Sequence, residues 1–257
     1  MLPISVIIPC YDAAATLART LESCVIQPHA AEIIVVDDAS NDDPIDIVRR
    51  LQQFDARIRL LRMPVNGGSA RARNWAALHA SHPVLAFIDA DDEYLPGALA
   101  VAGQFLEQHP DEASVRLDVE YAGFPREIVD HPDFAKHAAT LSNTIPSSLV
   151  IRRSVYAAMG GFPMDEFFRH HGGDDGAFSL ALSRLFGNPR LVDVKRVRMH
   201  HHARSHGAQF FRISMGMQAP DPVEVREGIR LTREFVMAVE AGIRQLHTMS
   251  TLTRTPA

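Results

Sequence analysis

Short apolar runs alternate with segments of helical periodicity through the first hundred residues. The runs typical of buried strands are residues 4–8, 33–36, 58–61 and 84–88. Helical segments follow Asp12, Pro44 and Ser69. Asp12 is expected to cap the first of these helices. Alternation of this kind specifies a mainly parallel sheet with helices on both faces, so an α/β fold is predicted.

The strand-like runs end in residues suited to ligand binding. Pro9 closes the first run, Asp37 and Asp38 close the second, and Asp89 closes the fourth. The carboxyl ends of parallel strands lie along one rim of the sheet, where ligands of such folds bind. A binding site is therefore expected at this rim.

The second half of the chain has a less regular pattern. It predicts strands at 115–121, 147–151 and 190–199, and helices at 96–108, 153–159 and 175–186. Residues 122–145 are predicted as a long loop with one short helix. An amphipathic helix is predicted from Pro222 to about His247, and the last ten residues are predicted to be disordered.

Composition excludes several classes of protein. The chain has 257 residues and a formal net charge of −5, which argues against general binding to nucleic acid. Its two cysteines, Cys10 and Cys24, form no disulfide framework and fit a reducing compartment. No apolar run reaches the roughly 18 to 20 residues that span a bilayer. The first strand begins at about Ile4, leaving no room for a signal peptide, so a cytoplasmic location is expected.

An acidic cluster follows the fourth strand-like run. Asp89, Asp91 and Asp92 are three carboxylates within four positions, and they repel one another unless a positive charge lies among them. A divalent cation with oxygen ligands, Mg²⁺ or Mn²⁺, would supply that charge and bridge a diphosphate. The alternative is an exposed acidic turn that caps a helix beginning at Pro96.

Two further segments carry polar groups to the same rim. Asp37 and Asp38 suit hydrogen bonds to a nucleoside, although plain helix capping would also explain them. Residues 66–69 form a glycine-containing helix start, which favours anions but matches neither a dinucleotide fingerprint nor a P-loop. Turn chemistry would explain the glycines equally well, but not Arg71 and Arg73 facing an acidic rim on the same helix.

Two later groups are candidates for chemistry. Asp175 lies where Gly172 and Gly173 open a helix, and a carboxylate there tends to stay ionised as a base; capping by Asp174 is the alternative. Residues 200–202 are three adjacent histidines. Side chains alternate along a strand, so at most His200 and His202 can converge on one ion.

The order of these segments resembles the family-2 glycosyltransferases of the GT-A fold, an α/β Rossmann-like fold. The resemblance covers about residues 3–206, and the matching segments are Ser5–Tyr11, Ile33–Ser40, Asn66–Gly68, Ala72–Asn74, Phe87–Asp92, Gly160–Phe162, Gly173–Asp175 and Arg198–His200. One departure is that the family's acidic pair is commonly Glu-Asp, whereas this chain has Asp174 and Asp175.

The resemblance implies a role for each matching residue. It places Pro9 and Tyr11 in a nucleoside pocket, with Asp38 bonded to the base. It places Arg73 near the pyrophosphate or base and Asp89 near the ribose. It makes Asp91 a ligand of Mn²⁺ or Mg²⁺ with His200 as a second ligand, and Asp175 the base of an inverting transfer. The expected partners are a nucleoside diphosphate sugar, UDP-linked by default, and a carbohydrate or lipid-linked acceptor.

The resemblance also suggests how the chain is divided. Residues 1–110 are expected to bind the nucleotide sugar, residues 111–206 to form the acceptor-binding and catalytic half of the same domain, and residues 207–257 to form a C-terminal helical extension. The mixed charges of the helix after Pro222 favour self-packing or a homodimer over lipid binding. A peripheral position at the inner face of the membrane remains compatible with a cytoplasmic enzyme.

Three other functions are weighed against the transferase. A non-catalytic GT-A module that binds nucleotide or a partner would be expected to have lost Asp91 or Asp175. A sugar-phosphate nucleotidyltransferase would carry a glycine-rich basic loop after the first strand, where this chain has residues 10–14 without glycine or a basic residue. A metallohydrolase would need the histidines of residues 200–206 to form a site without the acidic rim.

Overall fold

The computed structural model describes residues 2–202 and 206–252. The described residues form an eight-stranded sheet with the order β3-β2-β1-β4-β7-β6-β8-β5. The strands are β1 (Ile4–Cys10), β2 (Ala30–Asp37), β3 (Ile58–Arg62), β4 (Val84–Phe87), β5 (Glu93–Tyr94), β6 (Ser114–Ala122), β7 (Leu149–Arg152) and β8 (Arg190–His200).

The expected mainly parallel sheet is confirmed. β1 runs parallel to both β2 and β4, β2 runs parallel to β3, and β6 runs parallel to β8. β7 lies antiparallel between β4 and β6, and the short β5 lies antiparallel to β8. The parallel strands β1, β2 and β4 therefore share one rim, as the positions of Pro9, Asp38 and Asp89 predicted.

Helices cover both faces of the sheet. They are α1 (Ala14–Val25), α2 (Ile45–Gln52), α3 (Ser69–His79), α4 (Ala98–Gln108), α5 (Arg126–Val129), α6 (Phe134–Ser142), α7 (Arg153–Ala158), α8 (Glu166–His171), α9 (Asp174–Phe186), α10 (His206–Ser214) and α11 (Pro222–Leu252), with a 3-10 turn at Pro146–Ser148. Apolar residues of α1, α2, α4, α6 and α10 fill one core, and those of α3, α7, α9 and α11 fill the other.

The two cores explain the composition of β1. Ile4, Val6 and Ile8 point into the first core, whereas Ile7 points into the second. Successive strand side chains face opposite sides, and both sides are buried here, so the strand is apolar without alternation. Cys10 and Cys24 are both free and buried, in agreement with the absence of a disulfide framework.

Several local expectations are wrong. The 122–145 segment contains two helices, α5 and α6, instead of one, and neither α8 nor α10 was predicted. The helix predicted to start at Pro96 begins at Ala98. The main-chain N–H of Ala14 at the start of α1 donates to Asp42 (2.7 Å), so Asp42 and not Asp12 caps this end. The contact with Asp42 joins segments 28 residues apart, which local periodicity does not encode. The helix α4 starts after Gly97, whose φ of 80° lies outside the helical region.

The C-terminal end also differs from its prediction. The α11 helix runs from Pro222 to Leu252, so the first part of the tail expected to be disordered is helical; residues 253–257 lie outside the described residues. The inner side of α11 contributes Val236, Val239 and Ile243 to the second core. Across the described part of the chain, no helix combines the length and the apolar character that a membrane crossing requires.

Candidate active site

The acidic turn after β4 contains one buried carboxylate and two partly exposed ones. Asp92 is 3% exposed, and its carboxylate accepts from the Ser147 hydroxyl (2.7 Å) and from the main-chain N–H of His200 (3.2 Å). These bonds attach the turn to the 3-10 turn and to the end of β8. Asp89 and Asp91 remain partly exposed at the rim, with side chains 33% and 30% exposed.

The structure brings His202, in place of His200, to Asp91. The Nε2 atom of His202 lies 2.5 Å from the Asp91 carboxylate, whereas the Nε2 atom of His200 lies 2.5 Å from Glu93. His201 turns away and packs edge-on against the ring of Phe124. The alternation of side chains is as predicted, but His200 contacts Glu93, which lies two residues after Asp91.

The residues around Asp91 fit an open metal site. Burial and then the charge of Asp89 raise the pKa of Asp91, and the neighbouring His202 opposes this rise. A divalent cation would relieve the same repulsion. Within residues 2–202 and 206–252, no three His, Cys, Asp or Glu side chains are grouped to hold a metal by themselves. Mg²⁺ and similar ions are commonly held by one or two carboxylates together with substrate phosphates, and Asp91 with His202 fits that kind of site.

Arg73 connects two acidic groups of the site. This arginine of α3 is 4% exposed, and its Nη2 atom lies 2.5 Å from Asp89 while its Nη1 atom lies 3.6 Å from Asp174. Burial acts to lower the pKa of Arg73, but the charges of Asp89 and Asp174 outweigh it and raise the pKa. The prediction that both arginines of this helix face the acidic rim is wrong for Arg71, which pairs with Glu166 (2.8 Å) on α8.

The carboxyl groups of Asp174 and Asp175 lie at the start of α9. Gly173, with φ of 100°, is the N-cap, so the alternative in which Asp174 caps the helix is not observed. Burial and then the charge of Asp175 raise the pKa of Asp174 to about 7. Burial also raises the pKa of Asp175, although the N–H of Gly176 (2.7 Å) and Arg73 act against it. A carboxylate with a raised pKa is a stronger base than an ordinary one.

The ends of β1 and β2 form the other side of the site. Their register pairs Cys10 with Asp37, which sets Pro9, Tyr11 and Asp38 on the same rim. Tyr11 is 46% exposed. Asp38 is 2% exposed, and its two carboxylate oxygens accept from the N–H groups of Gly67 (2.7 Å) and Gly68 (2.8 Å). The Asp38 carboxylate therefore fixes the glycine turn at the start of α3.

Three polar residues of the site region were missed by sequence reasoning. Ser147 is fully buried; it donates to Asp92 and accepts from the N–H of Asp89 (3.1 Å), so it sets the shape of the acidic turn. Arg116 is a fully buried arginine of β6. His202 was considered only as a residue that can converge with His200. No local pattern marks Ser147, and Arg116 alternates along β6 with two other charged residues, Asp118 and Glu120, so its position in the sequence gives no sign that it is fully buried.

Comparison with known proteins identifies a family. Residues 5–156 match the family model described as Glycosyl transferase family 2. The succinoglycan biosynthesis protein ExoU of Rhizobium meliloti (strain 1021) is 38% identical over 105 residues, which are 41% of this chain and 30% of that protein. An Escherichia coli protein, UDP-Glc:alpha-D-GlcNAc-diphosphoundecaprenol beta-1,3-glucosyltransferase WfaP, is 34% identical over 105 residues, or 40% of this chain and 41% of that protein. Both matches span less than half of the relative's length.

Two solved structures are similar in fold. S. aureus TarS in complex with UDP-GlcNAc has a TM-score of 0.68 at 19% identity, covering 91% of this chain and 66% of that chain. The mannosyltransferase PcManGT from Pyrobaculum calidifontis, in complex with GDP-Man and Mn²⁺, has a TM-score of 0.62 at 19% identity, covering 99% of this chain and 81% of that chain. This likeness concerns the fold, and it agrees with the expected GT-A architecture with a C-terminal helix.

Proposed function

Because the chain belongs to glycosyl transferase family 2, we propose that it transfers a sugar from a nucleoside diphosphate sugar to an acceptor hydroxyl. One observation carries the proposal. Arg73 bonds to Asp89 on the rim of β4 and lies 3.6 Å from Asp174, which is followed by Asp175. A donor seated at the rim would thus have a carboxylate base beside it.

The rim residues would divide the recognition of the donor among them. Pro9 and Tyr11 would line the nucleoside pocket, and Asp38 would form it by holding the glycine turn in place. The remaining lone pairs of Asp38 suit a hydrogen bond from the base. Asp89 would accept from the ribose, with Arg73 near the diphosphate. UDP is the default nucleotide, and the complexes of TarS with UDP-GlcNAc and of PcManGT with GDP-Man support this class of donor.

Asp91 would hold the divalent cation, Mn²⁺ or Mg²⁺, with His202 in the position first expected for His200. A cation bound there would neutralise the negative charge of the departing diphosphate. The Mn²⁺ in the PcManGT complex supports the choice of ion. His200 remains attached to Glu93 and would act on the shape of the turn.

Asp175 would accept the proton of the acceptor hydroxyl as that oxygen attacks the anomeric carbon. The attack would come from the face opposite the diphosphate, so a single displacement would invert the configuration at that carbon. General base catalysis of this kind contributes roughly 10² to 10⁴-fold in rate. The acceptor would be a carbohydrate or a lipid-linked sugar, a class supported by the name of the Escherichia coli relative.

The test is titration calorimetry with UDP and GDP, with and without Mn²⁺. We expect the protein to bind one of the two more tightly when Mn²⁺ is present, and Asp91→Ala to remove this metal-dependent gain. Asp111→Ala is the matched control, because Asp111 is an exposed acid in the turn after α4. An Asp91→Ala variant with the same Mn²⁺ dependence as the unchanged protein would contradict the metal assignment.

A further inference from the structure

Arg116 is a fully buried cation surrounded by neutral groups. It lies in β6 with 0% exposure. Its guanidinium donates to four acceptors, none of them a carboxylate: Asn188 Oδ1 (3.0 Å), the carbonyl of Ile145 (2.7 Å), Ser148 Oγ (3.0 Å) and Ser179 Oγ (2.6 Å). Its hydrogen-bonding capacity is therefore well used, but its charge is not matched by any of these partners.

A buried charge without an ionised partner is costly, so its retention calls for a reason. Among the described residues, no carboxylate lies within 4.0 Å of the Arg116 guanidinium. Burial lowers the pKa of Arg116 to about 9, and the charge that acts against this effect is that of Asp175. The charge of a residue in the proposed active site thus acts on Arg116.

The geometry of α9 explains this relation. Ser179 lies four residues after Asp175, so the two side chains share one face of the helix, one turn apart. The hydrogen bond from Arg116 to Ser179 places the guanidinium beneath that face. The charged groups that act on Asp175 come from three elements: Arg73 of α3, Asp89 after β4 and Arg116 of β6, in addition to the adjacent Asp174.

We propose that Arg116 is a positioning residue for Asp175: its buried charge keeps the Asp175 carboxyl ionised, and its bond to Ser179 fixes the first turns of α9. The inference rests on the proposed function, because it takes Asp175 to be the base. Arg73 is already paired with Asp89 and stands near Asp174, so its charge is shared. Arg116 contributes a second positive charge, from the side of the protein interior, that Asp175 does not share with a bonded carboxylate.

An alternative role is purely structural, since the four acceptors of Arg116 belong to three separate segments of the chain. The two roles differ in whether they need the positive charge of Arg116. A structural tie depends on the hydrogen bonds, whereas the proposed role depends on the positive charge as well. The test therefore measures the ionisation of Asp175 directly and needs no substrate.

The measurement is the pH titration of carboxyl carbons by NMR in protein labelled with ¹³C at the aspartate side-chain carboxyl, with the Asp175 signal assigned from Asp175→Asn. In Arg116→Gln we expect the midpoint for Asp175 to rise by about one pH unit, a tenfold change in proton affinity. Arg116→Lys keeps the charge, and Ser179→Ala removes one hydrogen bond while the charge remains. Both are expected to shift the midpoint by less than about 0.3 unit.

A second variant covers the case in which Arg116→Gln does not fold. Asn188→Asp is nearly isosteric and places a carboxylate beside Arg116 Nε, which donates to Asn188 Oδ1 in the unchanged protein. The new pair would neutralise Arg116, and the Asp175 midpoint should again rise, whereas Asn188→Ala should leave it in place. An unchanged midpoint in folded Arg116→Gln or Asn188→Asp would overturn the proposal.

The same variants separate this inference from the proposed function. Asp175→Asn should bind nucleotide normally and lose transfer to acceptor; near-normal turnover would remove Asp175 as the base whatever the titration gives. If Asp175→Asn is inactive but the titration midpoint of Asp175 is unchanged in Arg116→Gln, only the proposed role of Arg116 is contradicted. A raised midpoint with an inactive Asp175→Asn supports both.

Discussion

The carboxyl group of Asp174 has a pKa raised to about 7 by burial and by the neighbouring Asp175. In the unfolded chain an aspartate titrates near 3.9. Between about pH 4 and pH 7 the folded protein therefore binds more protons than the unfolded chain at this position. The contribution of Asp174 to the free energy of unfolding is largest below pH 4, falls as the pH rises through this window, and is constant above it.

Asp174→Asn is expected to remove this loss of stability. The variant keeps the shape of the side chain but does not ionise. The drop in its melting temperature from pH 5 to pH 8 should therefore be smaller than in the unchanged protein by a few degrees. Differential scanning calorimetry at the two pH values measures the difference. Asp111→Asn, at an exposed position, should leave it unchanged. A larger drop in melting temperature from pH 5 to pH 8 in Asp174→Asn than in the unchanged protein would contradict the sign of this linkage.

The apolar pattern of the sequence predicted which strand and helix ends carry the candidate site residues, and it failed where their partners are set by tertiary contacts. Asp89 and Asp91 follow a strand and Asp175 lies in the first turn of a helix, so their places in the fold were predictable from the apolar pattern. His202 contacts Asp91 and His200 contacts Glu93, and no local pattern encodes these contacts between distant segments. Ser147 was missed because a single serine before a strand carries no signal of its bond to a distant turn.

At the scale of elements, the Asn74 side chain of α3 forms hydrogen bonds to the turn after α7 and to α7 itself. Asn74 accepts from the N–H of Phe162 (2.9 Å) and from the hydroxyl of Tyr156 (2.5 Å), and it donates to the carbonyl of Phe162 (2.8 Å). Gly160 and Gly161 have φ of 80° and 76°, the left-handed region in which glycine is favoured. A Cβ on Gly161 would overlap the Asn74 amide, whereas a Cβ on Gly160 would meet nothing within 4 Å.

Gly161→Ala should therefore be more destabilising than Gly160→Ala. Both variants place alanine at a positive φ, which costs about 1–2 kcal/mol. Only Gly161→Ala also displaces Asn74 and its hydrogen bonds, for which we expect at least about 1 kcal/mol more. In thermal unfolding, its melting temperature should lie about 2–4 °C or more below that of Gly160→Ala. Equal melting temperatures would mean that the Asn74 contact adds no stability.

The elements that the sequence predicted well are those with a strong pattern of their own. The apolar runs of β1, β2 and β4 and the periodic helices α1 and α9 were expected close to where they lie. The two-residue β5 and the six-residue α8 are too short to have a period. The strand β5 pairs with β8, and the Asp165 side chain caps the start of α8 by accepting from the N–H of Phe167. The antiparallel direction of β7 follows from its position between β4 and β6, which its own apolar residues do not specify.

At the scale of the whole molecule, α11 extends the protein beyond the segment that matches the family model. That match ends at residue 156, whereas α11 begins at Pro222. The helix nevertheless completes the core that lies under α9, the helix that carries Asp175. Its outer side exposes other apolar residues, including Ile229 at 47% and Met237 at 66%. The homodimer expected through this helix remains a prediction, and the two sides of α11 can be tested separately.

Two identical substitutions on α11 separate its inner side from its outer side. Ile243 is 9% exposed in the second core, and Ile229 is 47% exposed. Ile243→Ala should cost about 2 kcal/mol or more and lower the melting temperature by about 4–8 °C in a single transition, because α11 then unfolds together with the sheet. A separate early transition would mean that α11 is an independent unit. Ile229→Ala should change the melting temperature of a monomer little, so a large drop that depends on protein concentration would instead indicate that the outer side of α11 joins two chains.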